Sequence, residues 1–460
     1  MRRLLGILTV SIAALAACVP PGPPTVGSTS GGDPYFPSAG NGGYDVRSYD
    51  LTIDYEPSTR GFDGEARIRA KATQTLSSFS LDLRGLDVES VEVGDLPAAF
   101  THDDGELVIT PAVPILEDTH FKVRVLYGGT TGQPTDLGGA LYGWVSYDDG
   151  AFVANEPDGA PTWFPVNDVP TDKATYRFTV TVPEGTTVVA NGDLIGQSTT
   201  AGRTTLEWLA TDAMASYLAM AAIGDYDLTT DEGPGGLPIL NAVDRDLTPE
   251  QLSETQAVLA LQPAMIDFFD DYLGPYPFTS FGAVVDDDDD AGYALENQTR
   301  PIYSGVPEED TVAHETAHQW LGNKVTPARW SDIWLNEGFA TYLQWMWTEH
   351  TGGPTVDDQY AFVMSIAPAN PFWTTVVADP TAEGLFDAAV YLRGAAFLQA
   401  LRLTVGDDDF FDLLAQWAAT PASEPVSTDA LHELAEEVSG QDLDALFTDW
   451  LYEGDKPDGP

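Results

Sequence analysis

Along the first half of the chain, apolar and polar residues alternate one by one. Tyr49, Leu51, Ile53 and Tyr55 interleave with Asp50, Thr52, Asp54 and Glu56, and Ala66, Ile68, Ala70 and Ala72 interleave with Arg67, Arg69 and Lys71. Tyr176, Phe178, Val180 and Val182 repeat the pattern with Arg177, Thr179 and Thr181, up to a turn at Pro183-Glu184-Gly185. A period of two sends successive side chains to opposite faces of a strand. One polar face per strand predicts antiparallel sheets, so residues 44–228 read as one β domain. The period then changes. Thr248-Pro249-Glu250-Gln251 has the residues of a capped helix start, with Thr248 as cap, Pro249 in the first turn and Gln251 closing a capping box. Leu252, Val258, Leu259, Ile266, Phe269 and Leu273 follow at helical intervals until Gly274-Pro275, and Pro263 should kink or divide the helix. Helical patterns dominate from there, so residues 229–460 read as a mainly α domain and the fold class is α+β multidomain.

The amino-terminal residues carry a different signal. Met1-Arg2-Arg3 is basic, and Leu4 to Ala17 is apolar but too short to span a bilayer, which marks residues 1–17 as a signal peptide. Leu15-Ala16-Ala17-Cys18 resembles the bacterial lipobox. That resemblance implies a mature chain beginning at Cys18, exported and held by lipid on the outer face of a bacterial membrane. Cys18 is the one cysteine in the chain, so an internal disulfide and a zinc-thiolate site are both ruled out. Residues 18–43 are rich in Pro, Gly and Ser and read as a disordered tether.

Charge narrows the partners. Asp and Glu number 72 against 20 Lys and Arg, a formal net charge of -52, so a nucleic-acid partner is excluded for want of clustered cations. The excess acid reads as a solvated surface. Calcium binding is the alternative for Asp286 to Asp290 and Asp407 to Asp409, yet neither run has the alternating spacing of a calcium loop.

The chemistry concentrates in His314-Glu315-Thr316-Ala317-His318, within a helical segment predicted over 308–321. Two histidines four apart lie on one helix face, one turn above the other, and both imidazoles can reach one metal ion. A catalytic zinc wants a third protein ligand and an open position. Glu337, in Trp334-Leu335-Asn336-Glu337-Gly338-Phe339-Ala340, fits once a turn and a returning helix bring it alongside. Glu315 is then free to act as general base. Asp332 is a candidate for orienting a ligand, and His102, His120, His350 and His432 read as surface or packing residues.

With these residues in place, the chain resembles the aminopeptidase N family of gluzincins, which includes leukotriene hydrolase. His314 to Ala340 matches the family's zinc signature. Tyr293-Ala294-Leu295-Glu296-Asn297 looks like its Gly-x-Met-Glu-Asn loop, and Tyr391-Leu392-Arg393-Gly394 is similar to its Tyr-x-Lys-Gly segment. Asn155-Glu156-Pro157, followed by Phe164-Pro165-Val166-Asn167-Asp168-Val169-Pro170, is similar to the segment through which the β domain reaches the amine site.

The resemblance implies a thermolysin-like zinc peptidase domain holding one zinc ion, with Glu296 and Glu156 receiving a substrate's free ammonium group and Tyr391 donating to the oxyanion. It therefore implies peptides with a free amino terminus as substrates. Tyr293, Leu295 and Arg393 depart from the family pattern. The chain also ends at Pro460, which leads us to expect no large carboxyl-terminal helical domain and a more open cleft. Two alternatives remain at this stage: a zinc endopeptidase using the same centre, and a lipoprotein that binds peptides without catalysis.

Overall fold

A computed structural model of the protein describes residues 22–147, 149–287 and 291–459. The signal peptide and Cys18 lie outside the described residues. Each of the three alternating stretches forms a strand: Tyr44–Glu56, Gly61–Ala72 and Ala174–Pro183. They lie in an eight-stranded sheet whose order is Asp193–Thr200, Arg203–Met214, Ala174–Pro183, Tyr44–Glu56, Gly61–Ala72, His120–Thr130, Asp87–Val93, Leu96–Pro97. The antiparallel expectation needs one correction: Ala174–Pro183 runs parallel to Tyr44–Glu56 at the centre of the sheet. A parallel pair needs a long crossover, and the intervening residues also contribute three strands to one four-stranded sheet and two to another. Aromatic rings lock these sheets to the large one. Trp144 meets Tyr55 and Phe62 edge-on at 5.1 Å, and Phe79 meets Tyr44 at 5.6 Å.

The chain crosses into the second half at Asp225. Strand Ala221–Gly224 belongs to a sheet of the β domain, while Tyr226–Glu232 begins a five-stranded sheet with Pro238–Asp244, Phe281–Asp286, Ile302–Ser304 and Ala294–Leu295. The mainly α expectation overlooked this sheet. All six residues of Phe281–Asp286 are buried, and such a strand shows no alternation. The helices follow: α1 (Pro249–Leu259), α2 (Gln262–Leu273), α3 (Glu309–Ala317), α4 (Trp334–His350), α5 (Val356–Ser365), α6 (Ala388–Val405), α7 (Asp407–Ala418) and α8 (Thr428–Ser439). The Thr248–Gln251 capping box forms as read, and Pro263 divides α1 from α2. Asp407 to Asp409 is the first turn of α7, where acids complement the positive helix end, and Arg402 pairs with Asp407 at 2.9 Å.

Helices α4 and α6 cross at backbone contact. A Cβ placed on Gly394 would sit 3.0 Å from the Gly338 Cα, and one on Gly338 would sit 3.1 Å from Gly394. The glycines that follow Glu337 and Tyr391 thus let the two helices approach until those side chains share one cleft.

The tether expected over 18–43 is not what residues 22–43 form. Thr25–Val26 pairs with strand Leu76–Asp82, and Gly40 N and Asn41 Nδ2 donate to Asp82. Asp33 accepts from the Trp330 N–H at 2.8 Å, and Phe36 packs edge-on against the Trp330 ring. Composition misled here because isolated aromatic and Asp side chains, each with its own distant partner, leave no periodic signal.

Candidate active site

Helix α3 starts with Glu309 and Asp310 in its first turn and ends at Ala317, one residue short of His318, in place of the predicted stop at Leu321. His318 keeps right-handed helical angles, so the two imidazoles remain one turn apart and meet edge-on, 4.7 Å between ring centroids. The chain then reverses through Gly322, whose φ of +124° and a Cβ site only 3.1 Å from His318 Nδ1 leave no room for a side chain. Helix α4 returns alongside α3 and carries Glu337 in its first turn. Glu337 Oε2 lies 3.2 Å from His314 Nε2 and 3.5 Å from His318 Nε2, and donor atoms of the three residues fall within 4.8 Å of one another. The sequence therefore named three residues that the fold brings to one point.

What holds the imidazoles was not read from the sequence. His314 Nδ1 donates to Gln344 Oε1 at 3.1 Å, and Gln344 Nε2 donates in turn to Asp310. His318 Nδ1 donates to the Leu321 carbonyl at 3.2 Å. Each ring thereby turns its Nε2 toward the shared point. Gln344 sits seven residues after Glu337, on the same helix face, and that spacing was the available signal. Asp332 does not orient a ligand. Its Oδ1 accepts from the Thr428 backbone N–H and hydroxyl, at the start of α8.

Two further carboxylates arrive from loops. Glu296 follows strand Ala294–Leu295, and its carbonyl accepts from Asn323 Nδ2 at 2.7 Å and Gln319 Nε2 at 3.2 Å, which ties the loop to the turn after His318. Glu156 follows strand Ala151–Ala154. Its neighbour Asn155 is clamped by donation to the Ser216 and Ala219 carbonyls and by acceptance from Trp163 Nε1. Oxygens of Glu156, Glu296 and Glu337 lie within 4.8 Å of one another, as do Glu296, Glu315 and His318. Tyr391, in the first turn of α6, stacks beside the His314 ring at 6.1 Å. His314, Glu315, His318, Glu337, Glu296, Glu156 and Tyr391 gather in this cleft, whereas Asp332 and the other four histidines are elsewhere; His432, for instance, stacks on Phe447 and lies 3.4 Å from Glu436.

The electrostatics are one-sided. Glu296, Glu315 and Glu337 are at most 5% exposed. Among the described residues, one oxygen each of Glu156, Glu296 and Glu315 has no hydrogen-bond partner. Burial, followed by the charges of Glu296 and Glu337, pushes the Glu156 carboxyl well above its ordinary range. Burial raises Glu315 likewise, and raises Glu296 to about 7 against the pull of His318. Burial also opposes ionisation of Glu337, but His318 and hydrogen bonds from both imidazoles outweigh it and hold the carboxyl at about 2. Burial alone would lower His318, yet Glu296 and Glu337 lift it to about 10. Burial and Glu337 keep the Tyr391 phenol protonated, so it is a donor. Three buried carboxyl groups and the half-buried Glu156, with two imidazoles, make a site short of positive charge. Two imidazoles and one carboxylate at a common point are the donor set of a catalytic zinc site, where an oxygen-only shell would suit calcium.

Comparison with known proteins agrees with this geometry. Residues 46–218 match the family model Peptidase M1 N-terminal domain, and residues 259–450 match the Peptidase family M1 domain. A leucyl aminopeptidase of Saccharolobus solfataricus is 23% identical over 437 residues, covering 88% of this chain and 53% of that protein. Aminopeptidase M1-D of Oryza sativa subsp. japonica is 27% identical, covering 88% and 49% respectively. The chain thus spans about half the length of these relatives. The crystal structure of an M1 zinc metallopeptidase from Deinococcus radiodurans superposes with a TM-score of 0.84 at 28% identity, covering 94% of this chain and 99% of that one. A glutamate-to-alanine mutant of that protein, bound to a Tyr-Ser-Ala substrate, gives 0.83 at 29% identity.

Proposed function

The chain belongs to peptidase family M1, and from that premise we propose that it is a zinc aminopeptidase that releases residues one at a time from the free amino termini of peptides. The observation that carries the reading is the carboxylate excess in the cleft. Among the described residues, three of the four carboxyl groups in the cleft have an oxygen without a partner, and His314, His318 and Glu337 provide for only one cation. A substrate α-ammonium is the second cation, and Glu156 and Glu296 are the groups left to receive it. An internal peptide segment brings no such charge and would leave them buried and unpaired, which disfavours endopeptidase action.

His314, His318 and Glu337 would hold the zinc, which supplies Lewis acidity toward water and the scissile carbonyl. Glu315 takes the proton of the attacking water and passes it to the leaving nitrogen. The Tyr391 hydroxyl donates to the carbonyl oxygen as negative charge builds there. Glu156 and Glu296 fix the amino terminus, so that the first peptide bond is the one presented.

The test uses aminoacyl fluorogenic amides with free and acetylated amines, on wild type, Glu315→Gln and Glu296→Ala. We expect acetylation to remove nearly all turnover, Glu315→Gln to abolish it at unchanged zinc content, and Glu296→Ala to act mainly by raising KM. Equal cleavage of acetylated substrates would overturn the exopeptidase reading in favour of an endopeptidase. Purified protein that neither contains zinc nor gains activity with it would favour a binding lipoprotein. We further propose export and lipid attachment at Cys18. The lipobox-like Leu15 to Cys18 supports this, and incorporation of radiolabelled palmitate that persists in Cys18→Ser would refute it.

A further inference from the structure

Beside the zinc-ligand cluster, a cavity of about 210 Å³ runs out from Glu156 and Tyr391. It is smaller than the roughly 300–1,000 Å³ of pockets for drug-sized ligands, and so fits a single side chain. Leu141, Tyr142, Tyr293, Leu295 and Phe386 wall it, and Asp136 lines it as well. Tyr293 is held in place by its hydroxyl, which donates to the Leu141 carbonyl. Phe386 is 40% exposed, an aromatic face that folding leaves uncovered at the rim. Asp136 Oδ1 accepts from the Ala140 N–H at 2.9 Å, which fixes the carboxylate in its turn.

Building on the aminopeptidase reading, we infer that this pocket selects a long cationic side chain at the substrate's amino terminus, arginine or lysine, and that Asp136 determines the selection. Such a residue carries two cations joined by an apolar stem. The α-ammonium belongs to Glu156 and Glu296, the stem lies along Leu141, Leu295 and Tyr293, and the distal cation meets Asp136 and the Phe386 face. A leucyl or methionyl side chain fills the same walls but offers Asp136 nothing. Arg84, 5.7 Å from the Tyr142 ring centroid, does not supply the missing charge, because it is already paired with Asp158 at 3.3 Å.

The experiment compares arginyl, lysyl and leucyl amidomethylcoumarins on wild type and Asp136→Asn, a change that keeps the Oδ1 acceptor of the turn. The ratio of kcat/KM for arginyl over leucyl substrate should favour arginine in wild type and fall at least about tenfold in the variant, the scale of one charge-assisted hydrogen bond. A wild type that prefers leucine, or a variant in which both substrates change together, overturns the proposal. Calorimetric binding of free L-arginine and L-leucine to zinc-loaded Glu315→Gln reads the pocket independently of turnover. Absence of any aminoacyl hydrolysis would sink the aminopeptidase reading alone, whereas arginine binding no more tightly than leucine would sink this one.

Discussion

The contact between α4 and α6 makes a prediction whose sign depends on geometry. Gly394→Ala is ordinarily favourable inside a helix, by about 0.5–1 kcal/mol, because glycine loses more backbone entropy on folding. Here the new methyl would lie 3.0 Å from the Gly338 Cα and 3.6 Å from Trp334 Cε3. Neither neighbour can turn aside. The first is backbone, and the second belongs to a ring whose Nε1 donates to Thr428 Oγ1 at 2.8 Å and which packs edge-on against Phe397. Helix α6 must therefore move by a few tenths of an ångström, and forcing a methylene-sized group into a packed core costs about 1–3 kcal/mol. Set against the propensity gain, the net is a loss of about 0–2.5 kcal/mol. Tyr391 lies one turn before Gly394, so it shifts with the helix relative to Glu337 and His314. A misplacement of about 1 Å can cost about a hundredfold in rate, so a shift of this smaller size should lower kcat by about three- to tenfold. Urea unfolding of the zinc-loaded protein, followed by tryptophan fluorescence, gives the first quantity, and saturating turnover of an aminoacyl amide gives the second. A variant more stable than wild type that also retains full kcat would refute the reasoning.

Other outcomes follow from the same cleft. Tyr391→Phe should lower kcat by about 10²–10³-fold, the measured scale for one oxyanion donor, with little change in KM; a loss below threefold would remove the tyrosine from the chemistry. Chelation should lower the melting temperature, and zinc restored to a hundred times its Kd should return about 2.7 kcal/mol, a response that Glu337→Ala should lack. In the metal-free protein, stability should fall as pH rises from about 4 to 7. Burial, the largest cause, lifts the Asp82 and Asp172 carboxyls from 3.8 to about 7. Their contribution is thus fully present below the unfolded value and is lost as pH rises through the folded one. A melting temperature that climbs across that interval would contradict this.

The residues that do chemistry were legible where chemistry demands a spacing. His314, Glu315 and His318 declare themselves because a helix returns every fourth residue to one face, and Thr248 with Gln251 declares a helix start for an equally local reason. Glu156, Glu296 and Tyr391 had no local signal, and only the family resemblance singled them out. Gln344 and Asn323 went unnoticed, because a side chain that steadies another across two elements looks like any polar residue in the sequence. The buried strand Phe281–Asp286 was hidden by having no polar face.

Sequence alone determined the periods, the caps and the His314–Glu315–His318 trio, all of which depend on residues within a turn or two of each other. Tertiary structure alone decided that residues 22–43 lace onto the folded body, that a parallel pair sits at the centre of the large sheet, and that carboxyl groups from four separate segments converge around one cleft. Those outcomes depend on contacts between residues tens to hundreds of positions apart. The free energy of such contacts comes from burial and pairing, which no local pattern records.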